Sequence, residues 1–240
     1  MVQEPQMKAL IFDVDGTLAD TEDAHRQAFN DAFAKAGLDW SWDRDLYKKL
    51  LAVTGGKQRI RHFIDLHHPD MAHREDLDEM IAALHKSKTD FFIGRLKNGQ
   101  VALRPGIEAL ITACRAQAMT MAIATTTTPV NVRTLLQVNL GAEALDWFAC
   151  IGDGGTVPVL KPEPDVYTWV LDKLALKAAE TLALEDSHNG LVACRRAGVP
   201  CVVVTNDYTA DQNFNGCVVQ LDSYADVGLE RLQAWHKGVA

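Results

Sequence analysis

The chain has 240 residues, of which 48% are hydrophobic, and this is enough for one large domain or a main domain with an insertion. Its formal net charge of −8 and pI near 5.4 argue against a general nucleic-acid-binding or membrane surface. No apolar run approaches the ~18 residues of a membrane helix, and the first residues lack the basic and apolar segments of a signal peptide.

The first predicted element is a buried strand that ends at Phe12 and leads directly into two carboxylates, Asp13 and Asp15, followed by Gly16. Side chains at positions i and i+2 of an extended segment point the same way. Open α/β sheets bind their ligands at the carboxyl ends of their strands. The pair of acids therefore indicates a functional site.

Residues 21–97 have a different pattern and predict an insertion of four or five helices. Apolar residues recur there at helical spacing, as in Ala28, Phe29, Ala32 and Phe33, or Leu77, Met80, Ile81 and Leu84. Loops are predicted at 37–42, 54–57 and 67–70. The last helix is expected from 74 to 96.

From Arg104 onward, predicted strands alternate with predicted helices. The strands are expected at 119–124, 148–151, 181–184, 200–204 and 217–221. One helix is expected to start at 105–106 with Ile107, Leu110, Ile111 and Cys114 on its buried face, and others are expected at 130–140, 164–176, 188–197 and from 225. This alternation predicts an α/β fold with a Rossmann-like, doubly wound parallel sheet and an inserted all-helical domain. We expect the core to comprise 1–21 and 101–240, and the insertion to comprise 22–100.

Polar groups follow several of the predicted strands. Besides Asp13 and Asp15, they are Thr125, Lys161, Glu185 and Asp186. Carboxylates that converge in one crevice repel one another unless a hard cation lies among them, and oxygen ligands favour Mg²⁺. A lysine and hydroxyls suit phosphate oxygens, so the set indicates phosphoryl transfer through a carboxylate nucleophile.

This order of motifs resembles that of the haloacid dehalogenase superfamily. The matching segments are Asp13-Val-Asp-Gly-Thr17, Thr125, Lys161 and Glu185-Asp186. The helical insertion lies where that superfamily places its C1-type cap, which implies a cap that selects the substrate. Further segments are similar to the CbbY family of xylulose-1,5-bisphosphate phosphatases, which remove an inhibitor of Rubisco: Trp40-Ser-Trp-Asp43, Thr54-Gly-Gly-Lys57, Ala124-Thr-Thr-Thr-Thr128 and Leu184-Glu-Asp-Ser-His-Asn-Gly190.

The resemblance implies a role for each core residue. Asp13 is the nucleophile, and Asp15 is the acid and base. Mg²⁺ is held by the Asp13 carboxylate, the Asp15 backbone carbonyl and Asp186. Glu185 acts through a water, or contacts the ligands without touching the metal. Thr125 and Lys161 hold the transferring phosphoryl group. Thr126, Thr127 and Asn131 are candidates to extend that phosphate site.

The resemblance also implies substrate-binding residues in the cap. Glu22 and His25 lie at i and i+3 of a predicted helix and are expected to reach substrate oxygens. Gly55, Gly56 and Lys57 form a glycine-rich segment with a cation, suited to a second phosphate. Lys88 and Arg59 are further candidates for that phosphate. A solvated Glu22–Arg26 ion pair is the structural alternative for Glu22.

Other functions stay open at this point. A β-phosphoglucomutase-like phosphosugar mutase shares the fold, the cap type and the core motifs, although Thr128-Pro129 stands where such mutases carry polar or cationic groups. A dehalogenase needs neither Mg²⁺ nor the second aspartate, and a non-catalytic binding module has no use for the complete motif set. The five cysteines lack CxxC spacing, so we expect a reduced cytoplasmic enzyme. The acidic composition without an obvious apolar patch favours a monomer, and the resemblance to the CbbY family implies a role in the Calvin cycle.

Overall fold

The computed structural model describes residues 6–238, and these residues divide into two compact units. The core unit contains the residues up to Asp20 and those from Ala102 onward, and the helical unit contains Thr21–Val101. No helix among the described residues has both the length and the apolar composition needed to cross a membrane.

A six-stranded sheet forms the centre of the core unit, and every neighbouring pair of its strands is parallel. The strand order β3-β2-β1-β4-β5-β6 is that of a doubly wound fold, as predicted. The strands are β1 (Ala9–Phe12), β2 (Thr120–Ala124), β3 (Cys150–Gly152), β4 (Thr181–Glu185), β5 (Cys201–Val204) and β6 (Val219–Leu221).

The three central strands are in register at their carboxyl ends. Phe12 of β1 pairs with Ile123 of β2 on one side and with Leu184 of β4 on the other. The strand β1 is completely buried, which explains why its sequence is continuously apolar and does not alternate between apolar and polar residues. The residues that follow these three strands therefore emerge side by side.

Five α-helices pack around the sheet within the core unit. They are α5 (Ile107–Ala116), α6 (Pro129–Leu140), α7 (Asp165–Leu174), α8 (His188–Arg196) and α9 (Leu229–Lys237). The predicted inner face of α5, Ile107, Leu110, Ile111 and Cys114, is buried. The start of α9 was predicted four residues early, because Gly228 in extended conformation is its N-cap. Two 3₁₀ segments, Ala142–Trp147 and Ala178–Glu180, complete the set.

The helical unit contains four α-helices and one 3₁₀ helix. They are α1 (Glu22–Lys35), α2 (Arg44–Leu50), α3 (Gly56–His67), the 3₁₀ helix Pro69–His73 and α4 (Leu77–Lys97). The expected loop at 54–57 is partly wrong, because Gly55 at φ 92° is the N-cap and Gly56 and Lys57 already belong to α3. The expected start of α4 at 74 is also wrong, because Asp76 is its N-cap. The core of the helical unit is aromatic, with Phe29, Phe33, Trp42, Tyr47 and Phe63 all buried.

Candidate active site

The carboxyl ends of the central strands bring several predicted site residues together in the core unit. Asp13 follows β1, Thr125 follows β2, and Glu185 is the last residue of β4. All three are buried, and the backbone N–H of Asp13 donates to the Leu184 carbonyl at 3.0 Å. The parallel register thus delivers residues more than a hundred positions apart to one edge of the sheet.

The ammonium of Lys161 joins two of the carboxylates. Its Nζ donates to Oδ1 of Asp13 at 2.7 Å, to Oε1 of Glu185 at 2.6 Å and to the Ala124 carbonyl at 2.9 Å. Because an ammonium has three protons, these bonds use its full donor capacity. The geometry fixes the lysine between the carboxylates of β1 and β4.

Burial and charge act in opposite directions on this group. Burial raises the pKa of Asp13 from its ordinary 3.8 to about 7, and the Lys161 ammonium opposes that rise. Burial by itself lowers the pKa of Lys161, but the carboxylates of Asp13 and Glu185 outweigh it and raise that pKa. Lys161 is therefore a permanent cation, and the surrounding carboxylates favour a further positive charge.

Tyr167 on α7 is a site residue that the sequence pattern did not single out. Its hydroxyl donates to Oε1 of Glu185 at 2.5 Å, the same oxygen that accepts from Lys161. The ring also lies below the ammonium, with Nζ of Lys161 5.1 Å from its centroid. In the sequence, Tyr167 occupies a buried position of a helical apolar pattern, so the pattern gives no sign of its contact with Glu185.

Three of the four predicted metal-site acids form one carboxylate cluster. Asp13, Glu185 and Asp186 each place an oxygen within 4.8 Å of the others. The Asp15 carboxylate lies outside this cluster, and the resemblance assigns Asp15 only a carbonyl contact. Oε2 of Glu185 is buried and has no hydrogen-bond partner among the described residues. An all-oxygen set with an orphaned carboxylate oxygen fits a hard divalent cation.

Two glycines make room for these carboxylates. A Cβ on Gly16, whose φ is +81°, would lie 2.0 Å from Oδ2 of Asp186. A Cβ on Gly190 in α8 would lie 1.9 Å from Oε2 of Glu185. The acidic cluster therefore requires glycine at both positions.

The threonine segment after β2 is held in a compact loop. The backbone N–H of Thr127 donates to Oγ1 of Thr125 at 3.3 Å, and Nδ2 of Asn131 donates to Oγ1 of Thr127 at 3.1 Å. Gly154 donates its N–H to the Thr127 carbonyl, and a Cβ there would lie 2.5 Å from the Thr126 carbonyl oxygen. Thr125, Thr127 and Asn131 are buried, whereas Thr126 is half-buried. The structure thus groups all four candidates for the phosphate site.

The helical unit brings other candidates together on α1 and α4. Nζ of Lys88 lies 2.7 Å from Nδ1 of His25, and both side chains are buried. Because an ammonium can only donate, Nδ1 accepts and the proton of a neutral imidazole lies on Nε2. The His25 ring stacks on Phe92 with centroids 3.7 Å apart. Glu22 accepts from the Tyr47 hydroxyl at 3.0 Å.

The cations of α3 have different surroundings. Lys57 is exposed in the first turn of the helix. The guanidinium of Arg59 donates to the Leu50 and Val53 carbonyls, which argues for a structural role in holding the α2–α3 connection. The sequence pattern missed His85, whose ring would lie 2.6 Å from a Cβ on Gly56. Burial, followed by the charges of Lys88, Lys57, His25 and Arg59, lowers the pKa of His85 to about 4.

Comparison with known proteins identifies the family of this chain. A family model described as haloacid dehalogenase-like hydrolase matches residues 10–204. Protein CbbY of a Cupriavidus necator plasmid is 46% identical to this chain, over 97% of this chain and 98% of that protein. The crystal structure of CbbY from Rhodobacter sphaeroides in complex with phosphate matches with a TM-score of 0.87 and 42% identity, covering 94% of this chain and 99% of that one. A mutant of that CbbY in complex with xylulose-(1,5)bisphosphate matches with a TM-score of 0.86 and 41% identity, with the same coverage.

Proposed function

Because the chain belongs to the haloacid dehalogenase-like hydrolase family, and to its CbbY branch, we propose that it is a Mg²⁺-dependent sugar-phosphate phosphatase that hydrolyses xylulose-1,5-bisphosphate. The products are xylulose 5-phosphate and inorganic phosphate. The observation that carries the proposal is the buried Lys161 bridge between Asp13 and Glu185, adjacent to Asp186, at the carboxyl edge of the sheet.

The reaction proceeds in two steps through the Asp13 carboxylate. An oxygen of Asp13 attacks phosphorus in line, and the bond from phosphorus to the sugar oxygen breaks while Asp15 donates a proton to that oxygen. A water then attacks the aspartyl phosphate and Asp15 accepts its proton, which releases phosphate and restores Asp13. The i and i+2 spacing of the two acids supports this division of roles.

The metal site uses the carboxylates already described. Asp13 and Asp186 with the Asp15 carbonyl would hold Mg²⁺, and Glu185 would act directly or through a water with its unpartnered Oε2. The ion would supply positive charge that stabilises the phosphoryl oxygens during transfer. Lys161 supplies further positive charge on the protein side.

We place the transferring phosphoryl group at the threonine loop, where the nearby Lys161 ammonium supplies positive charge. Thr125, Thr126 and Thr127 supply hydroxyl donors after the end of β2, and the Asn131 amide orients the Thr127 hydroxyl through its own hydrogen bond. Such preorganised donors stabilise charge that develops in the transition state.

We assign substrate selection to the helical unit. Its cations Lys57 and Lys88, with Glu22, His25 and the neutral imidazole of His85, suit the hydroxyls and the second phosphate of a bisphosphorylated sugar. Gly55 and Gly56 begin α3, whose N-terminus has no side-chain cap among the described residues, and the helix dipole there favours an anion. Cations in this unit counter the acidic average of the chain.

The test is phosphate release from a panel of mono- and bisphosphorylated sugars with and without Mg²⁺, with Asp13→Ala as the inactive control. We expect xylulose-1,5-bisphosphate to have the highest kcat/KM. Equal hydrolysis of simple hexose monophosphates would contradict the substrate assignment. Phosphorus NMR separates the mutase alternative, since transfer of phosphate within a hexose, with little inorganic phosphate, would replace hydrolysis.

The proposal extends to the setting of the enzyme. All five cysteines are free thiols, which suits the reducing cytoplasm. We propose a cytoplasmic monomer that serves the Calvin cycle by removing a Rubisco inhibitor. Size-exclusion chromatography with light scattering measures the oligomeric state directly.

A further inference from the structure

Asn206 contacts the acidic cluster from the strand next to β4. It lies two residues beyond the end of β5, and its Nδ2 donates to Oδ2 of Asp186 at 2.8 Å. The roles described above do not use this residue. Nothing in its sequence surroundings marks it as part of the site.

The orientation of the Asn206 amide is fixed by its own turn. The backbone N–H of Tyr208 donates to Oδ1 of Asn206 at 2.9 Å. A backbone N–H can only donate, so Oδ1 must face Tyr208 and Nδ2 must face Asp186. The backbone N–H of Asn206 donates in turn to Oγ1 of Thr209 at 3.1 Å, which closes the turn.

Arg104 anchors this turn to the loop that follows β1. Its Nη2 donates to the Thr205 carbonyl at 2.6 Å, and its Nη1 donates to the Gly16 carbonyl at 2.5 Å. One guanidinium therefore sets the distance between the segment that carries Asp15 and the segment that carries Asn206. Charge-assisted bonds of this kind are stronger than those between neutral groups.

Gly16 closes the remaining side of the contact. A Cβ at Gly16 would lie 2.0 Å from Oδ2 of Asp186 and 2.9 Å from Nδ2 of Asn206. The Asp186 carboxylate is thus held between the Gly16 backbone and the Asn206 amide. Rotation of the carboxylate requires breaking the bond to Asn206.

We propose that Asn206 is a positioning residue for the divalent cation: it holds the Asp186 carboxylate in the orientation that binds the metal. The inference rests on the proposed metal site. Partners of this kind, which orient a ligand without touching the metal, contribute roughly 10- to 100-fold in metal affinity.

The test measures Mg²⁺ binding to the metal-free full chain by calorimetry, with no substrate present. In Asn206→Ser the shorter hydroxyl still accepts from the Tyr208 N–H but does not reach Asp186. We expect its Mg²⁺ dissociation constant to rise roughly 10- to 100-fold. Asn206→Ala, which also loses the turn acceptor, is the second variant.

Thr209→Val is the matched control in the same turn. It removes the acceptor for the Asn206 N–H and keeps the Asp186 contact, so we expect a lower melting temperature and unchanged Mg²⁺ affinity. Equal weakening in Thr209→Val and Asn206→Ser, or wild-type affinity in Asn206→Ser, overturns the inference. Failure of the wild-type chain to bind Mg²⁺ overturns the metal site itself, whereas wild-type binding with an unaffected Asn206→Ser removes only Asn206.

Discussion

The Nζ of Lys161 lies 2.7 Å from Oδ1 of Asp13, and each side chain is less than a tenth exposed. The same ammonium also reaches Glu185, so one cation balances two buried acids. Removing one partner of a buried ion pair leaves uncompensated charge, which is costly. This pair links the stability of the site to its chemistry.

Lys161→Met tests that link. We expect kcat/KM to fall roughly 10²- to 10³-fold, as for the loss of one group that stabilises transition-state charge. In the metal-free protein, the free energy of unfolding should fall by about 3 kcal/mol, because the carboxylates lose their counter-charge. Steady-state kinetics and urea denaturation, with and without Mg²⁺, provide the measurements.

Lys173→Met is the matched control for this change. Lys173 is exposed on α7, where its ammonium lies over the Trp169 ring. The same substitution there should leave kcat/KM at the wild-type value. A similar loss in both variants would contradict the role of Lys161.

The order of strands and helices was predictable because each buried parallel strand leaves a continuous apolar run in the sequence. The grouping of residues at the strand ends, such as Asp13, Thr125 and Glu185, was also predictable. Once the strands are recognised as parallel, their carboxyl ends must lie at one edge of the sheet. The match to haloacid dehalogenase-like hydrolases confirms the family that these motifs indicated.

The supporting residues were not predictable in this way. Tyr167 occupies the inner face of α7 like any core residue, and its hydroxyl finds Glu185 only in three dimensions. Arg104 donates to backbone carbonyls, which any sequence supplies, so its partners leave no pattern. His85 meets the first turn of α3 through tertiary packing alone. Periodicity reports which face is buried, but not what a buried polar atom touches.

Tyr167→Phe removes one hydroxyl that donates to a buried carboxylate. A hydrogen bond to a charged group contributes about 1.5–3 kcal/mol, so we expect unfolding free energy to fall by that amount. Mg²⁺ affinity should also fall, because Glu185 loses one of the donors that orient it. Denaturation and metal titration of the same preparation separate the two effects.

Tyr224→Phe is the control, because the Tyr224 hydroxyl is buried and has no hydrogen-bond partner among the described residues. Deleting that hydroxyl should leave stability unchanged or increase it slightly. If Tyr224→Phe destabilises the protein as much as Tyr167→Phe, the bond to Glu185 is not the cause.

Lys57→Ala tests the proposed second-phosphate site. Lys57 is exposed in the first turn of α3, where both its charge and the helix dipole favour an anion. We expect KM to rise more for bisphosphates than for monophosphates, with little change in kcat. Arg61→Ala, on the same helix and paired with Asp78, is the matched control and should leave both KM values unchanged. An equal rise for both substrate classes would remove Lys57 from this site.

His85 should make the stability of the protein sensitive to acid. Its pKa in the folded chain is about 4, below the ordinary 6.5, so the unfolded chain binds a proton first as the pH falls. Stability from the neutral ring is fully present above pH 6.5 and is lost as the pH falls toward 4. Between pH 7 and pH 5 the loss is about 2 kcal/mol.

His85→Gln, which cannot titrate, isolates this contribution. Urea denaturation at pH 7 and pH 5 should show a pH dependence smaller by about 2 kcal/mol than in the wild type. Binding of phosphate beside Lys57 and Lys88 should reduce this difference in pH dependence between the two proteins, because a nearby anion favours the protonated form of the His85 ring. Identical pH dependence in the two proteins would show that His85 is not held neutral.

Gly190→Ala should displace Glu185 from its position in the acidic cluster. The new methyl group would lie 1.9 Å from Oε2 and 2.1 Å from Cδ of the Glu185 side chain. Either the Glu185 carboxylate or helix α8 must therefore move. Overpacking of this kind costs about 1–3 kcal/mol, and the displaced carboxylate should also weaken Mg²⁺ binding. Thermal denaturation and metal titration measure both effects.

Gly94→Ala in α4 is the matched control, because the same substitution is expected to stabilise the protein at this position. Nothing lies within 4 Å of a Cβ there, so alanine should stabilise the helix by about 0.5–1 kcal/mol and leave Mg²⁺ affinity unchanged. Wild-type Mg²⁺ affinity in Gly190→Ala would mean that Glu185 has room to move without affecting the metal. In that case Glu185 would serve Lys161 and Tyr167 only, and Asp13 and Asp186 would be the side chains that hold the ion.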